Sequence, residues 1–266
     1  MGQHLEGDYH ICSVTLPTER IPGCKMVYID AFEPEARNAV HPMPPVSDAI
    51  NCIHNIDILL TRRPELLVRF PDKASKFVYG TTWIKDPNAY VEKTETVSYS
   101  MTAKSDLNMD GYTLRHSFVK SLNQIDFSLP LVYFESTRMP VKLTDPPPSQ
   151  FEHRFLKDDK EPMFASMFSL IIENQRLPNY ITEKLVDCII SKTVPLYFGC
   201  PNVSDYFDTD GMIIIKDHQH LCKVLGSLTA EHYTERIPAM ERNFEKAQHL
   251  SRPLADRTIE AIKNAN

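Results

Sequence analysis

The chain has 266 residues, 42% of them hydrophobic, which is enough for two small α/β domains with a core each and rules out a disordered chain. Its 35 acidic and 29 basic residues leave a net charge of −6, so nucleic acid and anionic membrane are poor partners and any phosphate site must be a local cluster. The cysteines show no CxxC spacing, there is no basic-then-apolar leader, and no run of about eighteen apolar residues occurs, so a reduced, soluble, unsecreted protein without a transmembrane segment is expected.

In chain order, Tyr9 to Leu16 and Met26 to Ala31 read as short strands, the second leading into Phe32-Glu33-Pro34-Glu35. The proline-rich His41 to Pro45 must be loop, and Ser47-Asp48 can cap a short helix through Ile53. A strand over Ile56 to Leu60, a helix around Pro64 and a strand over Phe77 to Gly80 follow. Val97 to Met101 opens a second half, continued by Lys104 in a loop, a helix over Leu114 to Leu122 and a strand over Leu131 to Phe134. The prolines 146–148 and the charged stretch Phe151 to Glu161 read as a surface crossing. After Met212 to Ile215 come helices over Leu221 to Leu225, Ala230 to Leu250 and Leu254 to Ala265. Alternating strands and helices predict parallel sheets with functional loops at the strand C-terminal ends.

The most informative stretch runs from Phe168 to Phe207: an apolar strand ending in Glu173-Asn174, a polar loop, a helix opened by Thr182-Glu183-Lys184, and a second strand closed by Gly199. Thr182 reads as an N-cap, and a helix start carrying Lys184 after a strand suits a phosphate or diphosphate. Glu183 would repel phosphate and is better placed to accept bonds from sugar hydroxyls; a Glu-Lys pair on a solvated helix start is the alternative. Asp208-Thr209-Asp210 spells DxD, but Gly211 and a terminal strand follow, so a turn is expected there. No metal-ligand spacing, P-loop or nucleophile elbow is present.

Glu173, Asn174, Tyr180, Thr182, Glu183, Lys184, Pro195 and Gly199 stand where the donor signature of the α-1,3-fucosyltransferases, glycosyltransferase family 10, has its matching residues, with Ile172 in place of a Phe; the stretch resembles that family closely. The resemblance implies a GT-B-like α/β fold of two Rossmann-like domains with the active site in the cleft between them. It would divide the chain into an acceptor-side domain (1–95), a nucleotide-sugar domain (96–250) and a C-terminal helix (251–266) packing back on the first domain. The implied activity is inverting transfer of fucose from GDP-fucose to a hydroxyl of an oligosaccharide or glycoprotein glycan. Another nucleotide sugar, such as a pentose (xylose) donor, and a glycan- or nucleotide-binding module without catalysis are the alternatives. No protein-bound metal is implied, and any divalent cation would be only stimulatory.

By the same resemblance Arg115, in Leu114-Arg115-x-x-Phe118, reaches the donor diphosphate alongside Lys184. From its place after the Val97 to Met101 strand, Lys104 is a further cation for the diphosphate, with a solvated loop lysine as the alternative. Asn174 is expected by the phosphates, Tyr180 against the donor and Glu173 as a helix-orienting acceptor, each with a scaffold role as its alternative. Inversion also needs a general base across from the diphosphate, for which Glu33 is nominated, with Glu35 and Asp30 as rivals. Lacking the membrane anchor of lumenal relatives, the chain is more like bacterial or large-virus forms, which places it in the cytoplasm or a host cell's cytoplasm; a truncated lumenal form would read the same.

Overall fold

The computed structural model describes residues 7–13, 15–31, 44–86, 92–101, 109–136, 151–156 and 159–265. It divides into two compact units, one of Met1–Thr81, Leu177–Tyr180 and Arg252–Asn266, the other of Thr82–Arg176 and Ile181–Ser251.

The first unit holds a parallel sheet of β1 (Tyr9–Cys12), β2 (Lys25–Asp30), β3 (Ile58–Thr61) and β4 (Ala74–Lys76), paired in that order. Alternation along the strands sends Val27, Ile29 and Leu60 to one face, where they meet Ile262 of the last helix, α8 (Leu254–Asn264). Tyr28 and Leu59 point to the other face, onto Ala49 of α1 (Val46–Asn51) and Leu66 of α2 (Pro64–Arg69).

Phe77 to Gly80, expected as a strand, lies beyond β4 and outside any strand, and Gly80 turns the chain with a φ of +47°. Arg257 of α8, itself buried, donates to the carbonyls of Val78 (3.1 Å) and Tyr79, so these backbone groups find a side-chain partner where a neighbouring strand would otherwise be needed. The first stretch of this unit runs to Thr81, which carries a φ of +106°, a strained angle for a β-branched residue. Thr82 and Trp83, which begin the second unit, bond to Asp187 within it.

That unit is a six-stranded parallel sheet of β5 (Thr94–Met101), β6 (Leu131–Ser136), β7 (Phe151–Leu156), β8 (Ser166–Ile172), β9 (Val194–Phe198) and β10 (Ile213–Ile214), in the spatial order β10-β9-β8-β5-β6-β7. The order reverses between β5 and β8, which makes their C-terminal ends the switch point where doubly wound sheets bind ligands. Charged Phe151 to Leu156, read as a surface crossing, is the edge strand, with Glu152 to Phe155 exposed; His153 pairs there with Glu135 of β6 at 2.8 Å.

Helix α3 (Asp110–Lys120) follows β5, α4 (Glu183–Ile190) follows β8, and α5 (His218–Leu225) follows β10. The single helix expected over Ala230 to Leu250 is split into α6 (Ala230–Thr234) and α7 (Ile237–Ser251), because the ring of Pro238 conflicts with a helical carbonyl at Thr234. Asn243 of α7, fully buried, clamps the Asp208 turn by accepting from its N–H (2.7 Å) and donating to its carbonyl (2.8 Å). The DxD residues are a capped turn: Asp208 accepts from the Asp210 N–H at 3.0 Å and pairs with Arg242 at 2.6 Å.

Candidate functional site

The candidate site is built around the first turn of α4. Residues Leu185, Val186, Ile189 and Ile190 bury this helix against the sheet, leaving its start at the end of β8. Thr182 is the N-cap, its Oγ1 accepting from the Lys184 N–H at 3.3 Å and from Lys184 Nζ at 3.2 Å. Behind the cap lies Glu173, with no exposed surface, accepting from the Thr182 N–H (2.9 Å) and from Thr182 Oγ1 (2.7 Å). One buried carboxylate therefore ties the end of β8 to the cap of α4. Burial pushes the Glu173 carboxyl above its ordinary range, against the opposing pull of Lys184, whose Nζ is 3.9 Å away.

Glu183 and Lys184 form a pair at 3.1 Å, and Lys160 adds a second ammonium 3.5 Å from the same Glu183 oxygen. Burial works against the Glu183 charge, but Lys184 and Lys160 outweigh it and hold the carboxyl down to about 2. For Lys184, burial opposes the charge and is outweighed by Glu183 and Glu173, so the ammonium is held above its usual value.

Arg115 comes to the same place from α3. Its guanidinium is buried, donates to the carbonyl of Ile172 at the end of β8 and lies 4.9 Å from the ring centre of Tyr112; its charge also disfavours that of Lys184, as a neighbouring cation does. This approach depends on Gly111. A Cβ at that position would stand 1.8 Å from the Glu173 carbonyl oxygen and 2.6 Å from that of Asn174, so only glycine lets α3 begin against the end of β8. Asn174 is buried at this contact.

The structure thus gathers Arg115, Glu173, Asn174, Thr182, Glu183 and Lys184. Tyr180 belongs to the first unit, where the Arg62 guanidinium covers its ring at 5.4 Å and Asn179 donates to the Arg62 carbonyl at 2.7 Å. Asp30, at the end of β2, is buried and engaged, accepting from Thr61 Oγ1 at 2.6 Å and pairing with Arg63 at 3.1 Å. Lys104, Glu33 and Glu35 lie outside the described residues.

Three features escaped the sequence reading. Gly111 lay in the stretch read as loop ahead of the helix expected from Leu114, whereas α3 begins at Asp110. Asp187, fully buried within α4, could have been noticed as a charge inside the apolar run LVDCII. A cavity at the end of β9, lined by Arg176, Tyr197, Gly199, Cys200 and Ile214, had no sequence signal; Gly199 touches the site, since a Cβ there would lie 2.6 Å from Glu173 Cγ.

Residues 136–235, which span β8, the Glu173 loop and α4, match the family model described as glycosyltransferase family 10 (fucosyltransferase) C-term. That stretch, a little over a third of the chain, is similar to family 10. Over 77 residues it is 27% identical to an α-(1,3)-fucosyltransferase of Helicobacter pylori, a pairing that covers 29% of this chain and only 16% of that protein's length. Among solved structures it is similar to an α1,3-fucosyltransferase (TM-score 0.52, 16% identity, covering 91% of this chain and 72% of that one). It is also similar to a UDP-forming α,α-trehalose-phosphate synthase of Burkholderia vietnamiensis (TM-score 0.56, 12% identity, 91% and 68%). These likenesses show the fold, which is GT-B-like, with two Rossmann-like units. Among the described residues no helix is long and apolar enough to cross a membrane, and no group of His, Cys, Asp and Glu side chains is placed to hold a metal ion.

Proposed function

We propose that the chain is an inverting glycosyltransferase that moves fucose from GDP-fucose to a hydroxyl of a glycan acceptor. The observation that carries this reading is the α4 start, where Lys184 and Arg115 meet at the switch point of a doubly wound sheet within the family 10 match. A solved α1,3-fucosyltransferase with GDP-fucose has a similar fold (TM-score 0.51, 14% identity), which supports the donor class.

The departing nucleoside diphosphate gains negative charge as the sugar bond breaks, and the positive end of the α4 dipole, the Lys184 ammonium and the Arg115 guanidinium compensate it. In the structure Lys184 is bonded to Glu183 and Thr182. Two ribose hydroxyls donating to Glu183 would replace Lys184 there and turn the ammonium toward the phosphates. Asn174 flanks the same position and Lys104 adds a further cation. Glu173 acts one step back, by holding Thr182 and so the whole turn. For the base that takes the acceptor proton we nominate Glu33, with Glu35 as its rival, because Asp30 is committed to Thr61 and Arg63.

Calorimetric titration with GDP, UDP and their sugars tests the reading. GDP and GDP-fucose should bind best, and Lys184→Ala or Arg115→Ala should weaken GDP by about ten- to a hundredfold, the worth of one charged hydrogen bond. Preference for a UDP-sugar would move the donor to another nucleotide. Unchanged GDP affinity in both folded variants would sink the site assignment.

A further inference from the structure

Glu183 presents a difficulty. A carboxylate beside the ammonium that must take a diphosphate both competes for that ammonium and repels the ligand. Something has to hold it aside, and the groups around it show what does.

Lys160, in the loop between β7 and β8, extends its ammonium to Glu183 (3.5 Å) and to Asp187 (3.8 Å), which lies one helical turn further along α4 on the same face. The same ammonium sits 3.9 Å from the ring centre of Trp83. Asp187 is tied to that segment in turn: its Oδ1 accepts from Thr82 Oγ1 at 2.7 Å and from the Trp83 N–H at 2.8 Å, while Oδ2 has no hydrogen-bond partner and faces Lys160. Thr82 also accepts from the Ile84 N–H at 3.0 Å. Lys160 is therefore fixed from three sides, by a buried carboxylate, an aromatic face and Glu183. Its neighbours Asp159 and Glu161 are occupied within their own loop and with Lys85, Asp159 accepting from the Glu161 N–H and Glu161 from the Lys85 N–H.

We propose that Lys160 is a positioning residue of the nucleotide site: braced by Asp187 and Trp83, it holds the Glu183 carboxylate toward the ribose side of the α4 start and thereby leaves Lys184 to the diphosphate. The role rests on the donor-site reading above and acts wholly through Glu183. Without Lys160, Glu183 has only Lys184 as a counter-ion, and every phosphate contact must first break that pair.

Trp83 is the chain's single tryptophan, so its emission reports on this cluster directly. GDP should shift Trp83 emission in the wild-type protein and weaken in affinity by about tenfold in Lys160→Met, with the emission response lost; Lys160→Arg should restore both. In a Glu183→Gln background, adding Lys160→Met should cost nothing further, since the group it positions is gone. Melting curves for each variant separate these effects from loss of fold. An equal loss with and without Glu183 would overturn the role, as would unchanged GDP affinity in folded Lys160→Met. If the wild-type protein binds no GDP at all, the donor-site reading fails and this role fails with it; binding that is normal in wild type and in Lys160→Met overturns Lys160 alone.

Discussion

Replacing Asp187 by Asn should remove a definite piece of the pH dependence of stability. Burial is the largest influence on this carboxyl and raises it from 3.8 to about 6, against the lowering effects of Lys160, Thr82 and the Trp83 N–H. A folded-state pKa above the unfolded one means that the native state holds the proton more tightly. The group's stabilising contribution is then complete below about pH 4 and is lost as pH rises through 6. A rise of about two units corresponds to about 3 kcal/mol in all, of which about 2 kcal/mol falls between pH 4.5 and 7. Glu183 works in the opposite sense and in another window: held down to about 2, it stabilises above its ordinary value of 4.5 and loses that contribution as the pH falls below it. Glu173, raised by burial, has the same sign as Asp187 but is present in both proteins and cancels in the comparison. The asparagine keeps an oxygen for Thr82 and Trp83, so the fold should survive. Urea unfolding followed by Trp83 emission at several values between pH 4.5 and 7 should show wild type losing about 2 kcal/mol more than Asp187→Asn across the range. Parallel stability curves, within about 0.5 kcal/mol, would refute the assignment of the charge to this site.

Gly111→Ala should destabilise the second unit by about 1–3 kcal/mol or more, because the new methyl meets backbone oxygen and the start of α3 must retreat; an unchanged melting temperature would rule out the close approach to Glu173. Glu173→Ala should cost about 2–4 kcal/mol by leaving the Thr182 N–H and hydroxyl without their acceptor, while Glu173→Gln, which keeps an oxygen, should lose less; equal losses in thermal unfolding would mean the cap does not depend on it. Glu183→Gln should weaken guanosine as well as GDP, since the ribose is common to both; guanosine binding that is untouched while GDP weakens would leave Glu183 with only the orienting of Lys184.

Local chemistry determined much of this protein in advance. Thr182 as a cap, the apolar face of α4 and the bounds of β9 follow from residues adjacent in the chain, where side-chain pattern and backbone capping act over a few positions. The turn at Asp208 was legible for the same reason, since Asp208 serves a backbone N–H two residues on. Tertiary structure alone decided what depends on distant partners. Val78 and Tyr79 left the strand pattern, their carbonyls taken by Arg257 far along the chain, and charged Phe151 to Leu156 became a strand because an edge position leaves most of its side chains in water. Tyr180 sits only two residues before the cap, yet it packs against Arg62, which its neighbours in sequence could not reveal. Lys160 and Asp187 looked like ordinary charges until the fold placed them 3.8 Å apart beside Glu183. A side chain's type says which contacts it can make, whereas burial and the meeting of remote segments set which it does make, and a charge acquires its strength only where water is excluded.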